Sequence, residues 1–331
     1  MVKLSVCIAT FNRADFIGET LNSIIPQLTE ETELLVVDGA STDNTEQVMH
    51  DFLQRSDRIR YIQLPVKGGV DHDYNCAVEL AVGEYCWLFT DDDVAKPGTV
   101  QAILEQIQQG FELVVVNAEV RNFDFSKLIE EKRLPIVDNK VYKIGSFEQF
   151  FVENTSYMSF IGCVVIKRNI WLDREKDHYY GSEFIHLGVI CQKPFHTPIS
   201  VIANPYIVIR LGNAQWTDRA FEIWVFKWPK LLWSFDCISQ TAKLMLCPKE
   251  PWSHIPRLTL LRAKGNFSSQ EYFKFIKPRV ASIVDRAIIR AITFVPGCLL
   301  NILAIAYYSL KSSNNQSDIY ALKSSKYYLF Y

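Results

Sequence analysis

Short runs rich in Val, Ile and Leu recur through the first third of the chain, and a polar, helix-like segment separates each from the next. The runs are KLSVCIA (3–9), ELLVVDG (33–39), IRYIQL (59–64), EYCWLFT (84–90) and ELVVVNA (112–118). Between them lie Asp15 to about Gln27, STDNTEQVMHDFLQR, DYNCAVELA and KPGTVQAILEQIQQ. Apolar strands spaced by helices predict an α/β fold, with a mostly parallel sheet covered on both faces. Ligands of such sheets bind outside the carboxyl ends of the strands. Asp38 and the run Asp91-Asp92-Asp93 fall at such ends.

Further along, residues 120–160 read as mixed connecting segments. FIGCVVIKRN (160–169) returns as a strand, and YGSEFIHLGVICQK (180–193) reads as a helix starting near Ser182. PISVIANPYIVIRLGN (198–213) reads as a pair of strands. After that the pattern turns helical and aromatic, with Trp216, Trp224, Trp228 and Trp233. We therefore expect one domain over residues 1–213 and a helical region over 214–331.

The net charge of −2 in 331 residues gives no reason to expect nucleic acid as a partner. None of the eight cysteines forms a CxxC pair, so they are expected to be reduced core residues rather than zinc ligands. The opening KLSVCIAT is too short and too soon polar for a signal peptide.

Three adjacent carboxylates repel one another, and a hard divalent ion with oxygen ligands would relieve that repulsion. By itself the triplet fits two readings equally. One is a site where Asp91 and Asp93 flank Asp92 and hold an ion directly or through water. The other is a solvated turn with Asp93 capping the helix after Pro97. Asp38 likewise suits either a base-binding acceptor or a turn acid in DGAS.

The ordered set VCIATFNR, LLVVDGASTDNT and GEYCWLFTDDDVAKPG resembles the family 2 glycosyltransferases, over about residues 3–210. That resemblance implies the GT-A fold and a nucleotide-sugar donor. It places Ala9, Thr10 and Phe11 in the nucleotide pocket and Asp38 on the base. It makes Asp91 and Asp93 a DxD motif for Mn or Mg, with Asp92 the variable middle residue at the donor. Where relatives often carry a basic residue in the loop near the diphosphate, this chain has Asp71 and Asp73, which leaves Asp71 a candidate ligand of base or ribose. Lys67 and His72 are the nearby cations.

An inverting sugar transfer needs a base to take the proton from the acceptor hydroxyl. The resemblance points to Glu183, in YGSEFIHLG, where relatives usually carry a Glu-Asp pair and this chain has Ser182-Glu183. A helix-start acid favoured by the dipole is the alternative. His186, three residues on, either steers Glu183 or substrate or is an ordinary packed histidine. Arg210 ends an apolar strand and meets either phosphate or a structural acid. GSEFIHLG, FIGCVVIKRN and VIRLGN together resemble the abequosyltransferase-like branch, which implies a deoxysugar donor, a lipid-linked oligosaccharide acceptor and O-antigen synthesis. No QxxRW motif is present, which implies addition of a single sugar.

Residues 257–290 hold eight Lys or Arg against two acids, a balance of +6. The uncharged AITFVPGCLLNILAIAYYSL (291–310) follows. It reads as a bilayer-crossing helix, as an interfacial pair broken at Pro296-Gly297, or as a buried hairpin. The expectation is a peripheral or singly anchored protein on the cytoplasmic face of the inner membrane. Competing readings are a metal-dependent phosphatase, a sugar-phosphate nucleotidyltransferase, and an inactive membrane-associated scaffold. The phosphatase motif wants Thr or Val where Ala95 stands, and the nucleotidyltransferase wants a glycine-rich basic loop that is missing here.

Overall fold

The computed structural model describes residues 1–213, 215, 219–310 and 316–329. Trp216 and the expected loop KSSNNQSD up to Asn315 lie outside the described residues.

Residues Met1–Leu211 together with Phe235–Ala242 form one compact unit. Its sheet contains β1 (Leu4–Thr10), β2 (Thr32–Asp38), β3 (Ile59–Gln63), β4 (Tyr85–Phe89), β5 (Val94–Ala95), β6 (Leu113–Arg121), β7 (Leu128–Glu130), β8 (Lys140–Tyr142), β9 (Val164–Lys167) and β10 (Ile199–Arg210). The strand order is β3-β2-β1-β4-β9-β6-β10-β5, with β7 on β6 and β8 on β10. The β3-β2-β1-β4 half is parallel. β9 then enters antiparallel between β4 and β6, so the sheet as a whole is mixed.

Helices α1 (Ala14–Ile24), α2 (Thr45–Leu53), α3 (Val70–Leu80), α4 (Thr99–Ile107), α5 (Phe147–Met158), α6 (Arg168–Asp173) and α7 (Ile185–Cys191) flank the sheet. The sequence explains the layering. Every residue of β2 and β4 is buried, as continuous apolar strands require when both faces are covered. α1 turns Ile17, Leu21 and Ile24 inward at helical spacing. Buried aromatic N–H groups find acceptors: Trp87 Nε1 donates to Gly162 O at 2.8 Å, and Trp171 Nε1 to Asn75 Oδ1 at 3.0 Å.

Three sequence expectations change. Residues 199–210 are one strand, not two. Its register on β6 shifts between Ile202 and Ile207. Pro205 sits inside the shift, where its missing N–H would otherwise break the ladder. The helix expected from Ser182 begins at Ile185, because Glu183 has φ 72°, outside the helical region. Cys237 is exposed, unlike the core cysteines expected throughout.

Gly212–Ser234 and the chain from Lys243 onward form the second unit. Its core gathers Phe221, Val225, Leu258, Phe267, Tyr272, Ile276, Ile289 and Ile292. Phe221 and Phe267 stack at 4.9 Å. The apolar run 291–310 is not one rod. Helices Ile283–Phe294 and Gly297–Leu310 meet at a 91° bend, and among the described residues no single helix is long and apolar enough to cross a membrane.

Candidate active site

Parallel pairing brings three strand ends to one edge. Thr10 of β1 stands beside Asp38 of β2, and β4 ends at Phe89, opposite Ile8 of β1, just before the acidic triplet. The loops after β1 and β2 are then tied together. Asn12 N–H donates to Ser41 Oγ at 2.8 Å, Thr42 N–H to Asn12 Oδ1 at 2.7 Å, and Gly39 N–H to Thr10 O at 2.9 Å. A Cβ at Gly39 would lie 2.5 Å from Asp73 Oδ2, so any larger residue there would push that carboxylate aside. On the β1 loop, Lys67 Nζ stands 3.5 Å from the centre of the Phe11 ring, a close cation–π contact.

Asp38 is fully buried. Its Oδ1 accepts Ser41 N–H at 2.8 Å and its Oδ2 accepts the Tyr61 hydroxyl at 2.6 Å. Burial and the bond to Asp38 hold the Tyr61 phenol well above its usual range. A second acid, Asp73, is buried beside it. Asp73 Oδ1 has no hydrogen-bond partner, and His72 Nδ1 stands 3.6 Å away. Burial pushes the Asp73 carboxyl up, with His72 opposing. In the sequence Asp73 counted only as a departure from the usual basic residue.

The triplet divides into two parts. Asp91 and Asp92 face Arg13, whose Nε lies 3.5 Å from Asp91 Oδ1 and whose second terminal nitrogen lies 3.1 Å from Asp92 Oδ2. Burial, then the neighbouring Asp92 charge, raise the Asp91 carboxyl to about 7, against the pull of Arg13. Asp93 points inward. Its Oδ2 accepts the Thr90 hydroxyl at 2.5 Å and its Oδ1 accepts Arg210 N–H at 2.7 Å, so it does not cap the following helix.

Of the two readings open for Arg210, the structure supports the structural one. Its guanidinium donates to Asp92 O at 3.0 Å and Phe123 O at 2.5 Å, pairs with Glu19, and lies 3.9 Å from the Phe125 ring centre. Arg210 therefore holds the acidic turn through both its backbone and its side chain. Sequence reasoning missed Arg13; its one signal was a cation directly behind the β1 end.

Asp71, expected at the base or ribose, has a different task. From the first turn of α3 its Oδ2 accepts Glu183 N–H at 2.9 Å and its Oδ1 accepts Ile185 N–H at 3.0 Å. Burial raises the Asp71 carboxyl to about 6, against the lowering effect of these N–H groups. Glu183 sits on a loop before α7, after Gly181 at φ 78°. His186 is buried and does not steer it: its Nε2 meets Met158 O at 2.7 Å, and burial depresses the imidazole to about 4. One turn of α3 thus serves two neighbourhoods, Asp73 against the β2 loop and Asp71 against the Glu183 loop.

Among the described residues no three His, Cys, Asp or Glu side chains form a ready metal cage. The triplet still suits a hard ion. Its donors are carboxylate oxygens, and Asp93 is oriented by Thr90 and Arg210 while each of its oxygens keeps a further lone pair.

The model of the family described as "Glycosyl transferase family 2" matches residues 5–172. The abequosyltransferase of Salmonella typhimurium is 25% identical over 231 residues, 65% of this chain and 69% of that protein. The GalNAc(5)-diNAcBac-PP-undecaprenol beta-1,3-glucosyltransferase of Campylobacter jejuni is 30% identical over 185 residues, 55% of this chain and 58% of its own length, so the chain spans just over half of that relative. The crystal structure of S. aureus TarS 1-349 in complex with UDP aligns with a TM-score of 0.59 at 16% identity, over 97% of this chain and 89% of that one. That likeness is one of fold: a curled mixed sheet with flanking helices, the GT-A architecture.

Proposed function

The chain belongs to glycosyl transferase family 2, and from that premise we propose that it moves one sugar from a nucleoside-diphosphate donor to a lipid-linked glycan, inverting the anomeric carbon. The observation that carries this reading is the shared edge. The ends of β1, β2 and β4 meet there, and Asp71 on the neighbouring α3 is tied to Glu183.

The nucleoside would lie against Ala9, Thr10 and Phe11, with Asp38 shaping the recess and the open oxygen of Asp73 offering an acceptor to a base N–H. A divalent ion, Mn or Mg, would be held by Asp91 and Asp93 and would neutralise the diphosphate leaving group as a Lewis acid. Arg13 keeps Asp91 and Asp92 compensated when the donor is absent. Asp92 stays at the donor beside them.

Glu183 then takes the acceptor proton. The acceptor oxygen forms its bond to the anomeric carbon as the bond from that carbon to the diphosphate oxygen breaks, and the leaving diphosphate keeps the electron pair. Holding Glu183 in one backbone conformation removes the entropy of finding the attack geometry.

The relatives guide the choice of substrate. One is named for abequose transfer and another for an undecaprenyl-diphosphate-linked glycan. A surface polysaccharide of the O-antigen type is therefore the product class we assign. A panel of nucleoside diphosphates, with Mn and with EDTA, tests the donor site by thermal unfolding, followed by release of nucleotide from the matching sugar donor. We expect one base to stabilise the chain only with Mn. Stabilisation by none would leave an inactive scaffold with this fold.

A further inference from the structure

The helix Gly297–Leu310 is built inside out. Its enclosed positions are Gly297 and Asn301. Asn301 Nδ2 donates to Ala263 O at 3.1 Å and to Leu322 O at 2.9 Å. Gly297 permits the close approach, because a Cβ there would lie 2.4 Å from the Tyr327 ring. The large apolar side chains point the other way. Leu299, Leu303, Tyr307 and Leu310 repeat at helical spacing on the exposed side, with Leu303 57% and Leu310 90% exposed.

The preceding helix Ile283–Phe294 also exposes apolar side chains. It buries Ile289 and Ile292 but exposes Ile283, Val284, Ile288 and Phe294, the last at 70%. Cations stand among these apolar groups. The Arg290 guanidinium lies 5.4 Å from the Phe273 ring and 5.7 Å from the Phe294 ring, and Lys277 Nζ lies 5.4 Å from Phe273. A helix made for water would turn its leucines inward and its asparagine outward.

We propose that these two helices dock flat on an anionic bilayer surface. The exposed stripe enters the headgroup boundary, and the Lys and Arg side chains meet lipid phosphates. Crossing the bilayer is not the mode. Fourteen residues of helix rise about 21 Å, short of the roughly 30 Å hydrocarbon core, and the 91° bend prevents the pair from acting as one rod. Charge selects lipid over a second copy of the chain. The exposed Lys274, Lys277 and Arg290 stand beside the apolar groups, so pairing this face with itself would set like charges together, whereas anionic lipid neutralises them.

The test is co-sedimentation of the full chain with phosphatidylcholine vesicles, with and without phosphatidylglycerol; it does not depend on any transfer activity. We expect at least about tenfold tighter binding to the anionic vesicles, with a fraction that resists a high-salt wash. Leu299→Gln with Leu303→Gln should remove the salt-resistant fraction. Lys274→Glu with Lys277→Glu should remove the anionic preference. Both pairs lie on exposed positions, so thermal unfolding should remain that of the unsubstituted chain and serves as the folding control. Failure to pellet with anionic vesicles in low salt would overturn the proposal. So would glutamine variants that bind like the parent, or a concentration-dependent dimer that the glutamine variants dissolve.

Discussion

The backbone N–H of Glu183 donates to Asp71 Oδ2 at 2.9 Å, across 112 positions of sequence. With the Ile185 N–H on the other oxygen, a single buried carboxylate fixes the residue we assign as the base and the first turn of α7 behind it. Removing the acceptor would leave the buried Ile185 N–H unsatisfied and release the part-buried Glu183 N–H, freeing the loop.

Asp71 should therefore act through Glu183. Glu183→Gln is expected to lower transfer at least about 10²-fold. Asp71→Asn keeps one acceptor oxygen and should lower kcat about tenfold with donor KM unchanged, and Asp71→Ala should lower it further. In the Glu183→Gln background Asp71→Asn should cost little more. Full additivity of the two substitutions, measured by steady-state kinetics, would separate Asp71 from the base.

The positive φ at Glu183 carries a second expectation. A non-glycine residue in that region costs on the order of 1–2 kcal/mol, which Glu183→Gly would relieve, less glycine's own entropy cost. Urea unfolding should show Glu183→Gly as stable as the parent or up to about 1 kcal/mol more stable, with transfer abolished. Marked destabilisation would mean that the side chain holds the loop.

The acidic turn predicts a metal requirement. Asp91→Asn and Asp93→Asn should each abolish Mn-dependent stabilisation by nucleotide. Asp93→Asn should also lower stability by about 1–3 kcal/mol, because its oxygens accept Thr90 and the Arg210 N–H inside the fold. Undiminished transfer in excess EDTA would rule the requirement out.

His186 predicts an acid-sensitive fold. Its folded-state value of about 4 lies below the roughly 6.5 of an unfolded chain. Its contribution is complete above about pH 6.5 and is lost as pH falls towards 4, a difference of about 3 kcal/mol. Asp71, raised to about 6, acts in the opposite sense: what it contributes is present below its unfolded value and is lost as pH rises through 6. Comparing the chain with His186→Gln in urea at pH 7 and pH 4.5 isolates the histidine, and the variant should lose less stability on acidification. An equal loss in both would place the acid response elsewhere.

The sequence by itself determined the buried central strands, because runs such as ELLVVDG must be buried on both faces, and their apolar identity is local information. It also determined the acidic turn behind β4, since residues next to one another in the chain need no fold to meet. The family resemblance rested on the same local stretches. Only the tertiary structure decided which oxygen meets which donor. Asp71 and Glu183 are 112 positions apart, and Arg210 reaches Asp93 across 117. It turned Arg210 from a candidate phosphate ligand into the clamp of the acidic turn and buried His186 away from Glu183. It likewise faced Asn301 inward and Leu303 outward, because composition counts apolar residues along a helix while packing alone chooses which side of that helix meets the core.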